Sequence, residues 1–85
     1  MWQPLMKSIY SESYRVLLDR ITKARKNAGV TQAELAKKLD RPQSFVSKIE
    51  SGERRIDVIE FLQVAKHVGF DPYILMQGLI QTKRK

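Results

Sequence analysis

Gln43, Ser44, Ser47 and Lys48 put an amide, two hydroxyls and an ammonium within one short stretch, QSFVSKIES. Advancing ~100° per residue from Gln43, these four fall within an arc of roughly 140°, and Phe45, Val46 and Ile49 fall in a separate arc. That is an amphipathic helix with an unusual polar side, because surface helix positions usually carry Glu, Lys or Ala. The four groups match the chemistry of base edges. Glutamine pairs bidentately with adenine, serine donates or accepts, and lysine reaches the acceptors of guanine. On residue types alone, a reading face and a plainly solvated face fit equally well. Phe45 is ambiguous too. Its angle groups it with the apolar arc and favours partial burial, and the alternative is contact with a thymine methyl group.

Other chemistries have less support. The 85 residues suit one domain with a single small core. With no cysteine there is no disulfide framework or thiolate metal site, and a lone histidine, His67, offers no metal cluster, so no metal and no cofactor are expected. No nucleophile stands with a base, no catalytic carboxylates are paired, and no glycine loop cradles phosphate, so no enzyme is expected. The apolar runs are too short to span a bilayer, and MWQPLMKSIY does not read as a signal peptide, which points to a cytoplasmic protein. The net charge of +7 favours a polyanionic partner, either nucleic acid or an acidic membrane surface. Membrane binding needs a basic helix with a broad exposed apolar face, and the helices here spend their apolar faces on a core.

The elements that must position the polar arc are all helical. Leu17, Ile21, Ala24 and Ala28 step along one face of a first helix over 12–28, with Ser11 or Ser13 as its cap and Gly29 as its stop. Thr31 and Glu34 form a capping box opening a second helix over 32–39. Asp40-Arg41-Pro42 breaks it, and a third helix runs over 43–51 to Gly52. Asp57 and Glu60 open a fourth over 58–68, with Val58, Phe61, Leu62, Val64, Ala65 and Val68 apolar. Asp71-Pro72 opens a fifth over 72–81. The result is an all-α domain over 12–81, with an N-terminal arm at 1–11 and a basic tail at 82–85. The short connection between the second and third helices fits a helix-turn-helix unit.

TQAELAKKLDRPQSFVSKIESGERR (31–55) resembles the DNA-binding unit of the Cro/cI-type helix-turn-helix family, often called Xre-like regulators. The matching positions are Thr31, Gln32, Leu35, Ala36, Ser47, Ile49, Glu50 and Gly52. RITKARKNAGV (20–30) is similar to the family's first helix and IEFLQVAKHVGFDP (59–72) to its fourth, so the resemblance covers about 15–80. One departure is plain: many members carry Gly-Val-Ser where this chain has Asp40, Arg41 and Pro42.

The resemblance implies a compact five-helix, lambda-repressor-like fold that binds an operator in double-stranded DNA. It implies that Gln43, Ser44, Ser47 and Lys48 read bases, and that Gln32, Arg25, Ser51, Arg54 and Arg55 hold phosphates. It also implies a salt bridge between Arg25 and Glu50 that carries the reading helix. Family members normally act as dimers on half-sites about one helical turn apart, ~34–36 Å. The apolar residues left for such a homodimer are Tyr73, Ile74, Met76, Leu79 and Ile80 near the C-terminus, and Trp2, Leu5, Met6, Ile9 and Tyr10 at the start. The C-terminal helix is the expected interface. The nearest family types are a phage-type repressor, a controller of a restriction–modification operon, and an antitoxin that represses its own operon. Some family domains instead bridge other proteins, so a protein partner is the competing expectation.

Overall fold

The computed structural model describes residues 2–80, with side chains from residue 12 onward. The described residues form five helices: α1 (Trp2–Asn27), α2 (Gln32–Leu39), α3 (Gln43–Ser51), α4 (Val58–Val68) and α5 (Pro72–Met76). None of them is long and apolar enough to cross a membrane.

Local capping chemistry sets the three central helices. Glu34 N–H donates to Thr31 Oγ1 at 3.0 Å, and Thr31 N–H donates back to Glu34 Oε1 at 2.8 Å. The same reciprocal box opens α4, with Glu60 N–H to Asp57 Oδ1 at 2.7 Å and Asp57 N–H to Glu60 Oε1 at 3.1 Å. Each box satisfies two backbone donors that no intrahelical carbonyl reaches. Between α2 and α3, Asp40 takes the left-handed conformation at φ 60°. Arg41 N–H then donates to Ala36 O at 2.9 Å and Asp40 N–H to Lys37 O at 3.1 Å, a Schellman closure. Pro42 follows as the residue before α3, where its missing N–H costs nothing. The chain therefore turns sharply into α3 without the family's usual Gly-Val-Ser.

Two boundaries differ from the sequence expectation. α1 begins at Trp2, not at 12, so 2–11 continues the helix. No glycine or further proline interrupts residues 5–27, and Pro4 lies in the first turn, where it is tolerated. Ser13 is consequently no cap; its hydroxyl donates to Leu79 O at 3.1 Å. At the other end α5 stops at Met76 instead of 81. Arg20 Nη1 donates to Leu75 O and Gln77 O, each at 2.7 Å, and Gly78 turns the chain at φ 73°. A guanidinium on α1 thus takes carbonyls that a longer α5 would have used. Gln81 and the tail 82–85 lie outside the described residues, as do the side chains of Trp2, Leu5, Met6, Ile9 and Tyr10.

The core is one cluster: Leu18, Ile21, Leu35, Ala36, Phe45, Val46, Ile49, Phe61, Val64 and Leu75. Burying a large aliphatic or aromatic side chain stabilises by about 1.5–3 kcal/mol, so this set carries the fold. α3 packs on α2 and α1, and α4 packs on α2 and α5. Val46 and Ile49 seat α3 in the core, which turns its polar arc outward. Not all of the apolar residues of α4 face the core. Val58, Ile59 and Leu62 lie exposed on α4, Val58 at 71%.

Candidate nucleic-acid interface

Gln43, Ser44 and Lys48 are exposed along α3, and Ser47 is half-buried beside them. Ser47 Oγ donates to Ser44 O at 3.3 Å, and Ser51 Oγ donates to Lys48 O at 3.2 Å. Both hydroxyls are turned back on the helix, and Ser51 Oγ also accepts from Glu53 N–H at 3.4 Å. No side chain caps the start of α3, and no acidic residue lies in its first turn. Its positive dipole end therefore meets no carboxylate of its own.

One flank of α3 is tied to α1. Arg25 Nε donates to Glu50 Oε2 at 2.6 Å and Arg25 Nη2 to Glu50 Oε1 at 3.0 Å, a two-bond fork. Arg25 Nη1 donates to Val30 O at 2.8 Å. The two side chains are only 7% and 8% exposed. A phosphate contact, expected of Arg25 from the resemblance, does not fit this enclosure. Gln32 joins the same carboxylate, its Nε2 donating to Glu50 Oε1 at 2.9 Å. Its Oε1 stands 3.5 Å from Gln43 Nε2. A continuous chain of polar contacts thus runs from Arg25 through Glu50 and Gln32 to the first residue of α3.

The other flank is tied to α4 by Phe45, Arg54 and Glu60, whose mutual contact helical patterning does not show. Phe45 is buried, and the guanidinium groups of Arg41 and Arg54 lie over its ring at 4.3 and 4.7 Å from the centroid. Arg54 forks onto Glu60, Nη1 to Oε1 and Nη2 to Oε2, both at 2.9 Å, and Nη1 also donates to Arg55 O at 2.8 Å. The Arg54 hydrogen bonds hold the Glu60 carboxyl below its ordinary range, against a desolvation that pushes it up. The same bonds raise Arg54 further. Arg55 lies over the Tyr14 ring at 4.4 Å, and the Tyr14 hydroxyl accepts from Ile56 N–H at 3.0 Å.

Residues from Arg25 to Glu60 therefore converge on α3, and the signal for this second flank was in the sequence as a pair. Glu60 is both a helix cap and an acid six residues after Arg54. His67 is half-buried on α4, and among the described residues no cluster of metal-ligating side chains occurs.

The helix-turn-helix family model matches residues 21–75, from the last turns of α1 to the core residue Leu75 of α5. The chain belongs to the Xre-type helix-turn-helix family. Among solved structures, the XRE-family like protein from Pseudomonas syringae pv. tomato str. DC3000 is similar at 52% identity, over 88% of this chain and 92% of that one, with a TM-score of 0.83. No curated protein matches. In this Xre-type domain α2 and α3 form the helix-turn-helix, and the polar arc of α3 is the side left open by both flanking ties.

Proposed function

We propose that this protein is a sequence-specific regulator of transcription that lays α3 in the major groove of an operator. One observation carries the reading. α3 is locked on both flanks, by Arg25–Glu50 and by Phe45 with Arg54–Glu60, and the face between them exposes an amide, a hydroxyl and an ammonium. Rigid presentation of a few hydrogen-bonding groups is what base readout needs. In this reading Gln43, Ser44 and Lys48 read bases, with Ser47 at the edge. Gln32, Ser51, Arg54 and Arg55 meet phosphates, which position the protein without carrying sequence. Arg54 does so with the N–H groups that Glu60 leaves open.

The regulator works as a homodimer on a palindromic site, in the cytoplasm with the DNA. Tyr73, Ile74, Met76 and Ile80 stay exposed, Tyr73 at 79%, which supports pairing through the C-terminal end. Leu79 is half-buried and contributes less. The exposed Val58, Ile59 and Leu62 on α4 favour a second reading, a protein-binding adaptor of the antitoxin kind. Selection from a random duplex pool separates the two. A regulator recovers a two-fold symmetric site with half-sites one turn apart, ~34–36 Å. Lys48→Ala should then lose discrimination at one position of each half-site. Equal recovery of every duplex sinks specific reading.

A further inference from the structure

Arg41 has no part in the reading above, yet its surroundings are those of an anion site. It lies in the turn directly before α3, and its guanidinium rests on the Phe45 ring. Two guanidinium groups share one carboxylate here. Arg54 occupies both oxygens of Glu60 at 2.9 Å, whereas Arg41 Nη2 stands 3.9 Å from Oε2, beyond hydrogen-bond range. Among the described residues the Arg41 guanidinium makes no hydrogen bond, and its side chain is 45% exposed. Arg41, Arg54 and Glu60 sum to one positive charge, and Arg41 is the cation held only by the longer, 3.9 Å ion pair. Arg41 also borders a shallow depression with Gln43, the first residue of the reading face. Lys37 and Asp40 on the same rim offset one another. The buried ring fixes the plane of the cation, so little side-chain freedom is lost when it binds.

We propose that Arg41 grips a backbone phosphate of duplex DNA at the edge of the groove that α3 enters, as a site distinct from the Arg54–Glu60 pair. This rests on the reading of the protein as a DNA binder. A phosphate fits better than a base, because Phe45 lies outside the reading arc and holds Arg41 to that side of the helix. A planar fork with all five donors open matches two phosphate oxygens.

The test is duplex affinity across a salt series for the wild type, Arg41→Ala, Arg41→Lys and Lys23→Ala. Lys23 is a control for loss of one charge: it lies on α1, pairs with Asp19 at 3.2 Å, and borders the α1–α5 side. Arg41→Ala should reduce the log–log salt slope by about 0.9, equally on the preferred and on a scrambled duplex. Arg41→Lys should keep the slope and lose affinity, and Lys23→Ala should keep the slope. A slope for Arg41→Ala equal to that of the wild type overturns the site. A changed sequence preference with an unchanged slope also overturns it, by making Arg41 a base reader. Wild-type protein that binds no duplex removes the DNA reading itself, and this site with it.

Discussion

Gln43 Nε2 stands 3.5 Å from Gln32 Oε1, so the first residue of α3 is oriented by the first residue of α2. Gln32 is itself held by Glu50, and Glu50 by Arg25. One N–H of Gln43 is turned toward Gln32. Its other N–H and its carbonyl are left for a bidentate partner. If that orientation matters, Gln32→Ala and Gln43→Ala should not add. A double-mutant cycle on affinity for the preferred duplex should show a coupling of about 0.5–1 kcal/mol. Strict additivity means the two amides act alone.

The Arg25–Glu50 pair predicts a large effect on stability. Removing one partner leaves a buried, uncompensated charge, so Glu50→Ala or Arg25→Ala should each lose about 3–5 kcal/mol. Urea midpoints at constant m-value measure this. A shift close to zero for Glu50→Ala would mean that the pair does not hold α3.

Acid should unfold the protein through Glu60 and Glu34. Both carboxyls are lowered below 4.5 in the folded state, Glu60 chiefly by its Arg54 hydrogen bonds and Glu34 chiefly by the Thr31 backbone N–H. A depressed folded value contributes stability that is complete above the unfolded value and is lost as pH falls through the folded one. Stability should therefore hold above 4.5 and decline below it. Glu60→Gln should flatten that decline, read from thermal unfolding at several acidic pH values. An unchanged pH profile in the variant assigns the decline elsewhere.

How much of this was legible beforehand differs by element. The limits of α2, α3 and α4 follow from Thr31 with Glu34, Gly52, and Asp57 with Glu60, because capping is chemistry between near neighbours. The limits of α1 and α5 do not. The start of α1 is hidden because Ser11 and Ser13 resemble caps inside an unbroken helix, and the end of α5 depends on Arg20 reaching the carbonyls of Leu75 and Gln77, which no local pattern contains. The exposed polar arc of α3 is likewise visible from helical angles. The Arg41–Phe45–Arg54–Glu60 cluster needs three segments brought together in space. Helical periodicity also groups Val58 and Leu62 with the core, although no described element covers them.

Asp40 makes a prediction about the turn. It holds a left-handed conformation that most side chains avoid. Asp40→Val should cost about 1–2 kcal/mol, since a branched Cβ meets the carbonyl that follows it. Asp40→Asn, which visits the same region readily, should stay within about 0.5 kcal/mol of the wild type. Equal costs for the two would locate the constraint outside backbone geometry.

The two ties on α3 also decide which positions are interchangeable. The side chains of Ser44 and Lys48 hold no partner among the described residues, so both can be rewritten without disturbing the scaffold. Gln43 and Phe45 cannot, because one is joined to Gln32 and the other seats two arginines. If the proposed reading holds, Ser44 and Lys48 are the readers that can change at least cost to the scaffold. Lineages that diverge in target should vary at 44 and 48 while keeping 43 and 45.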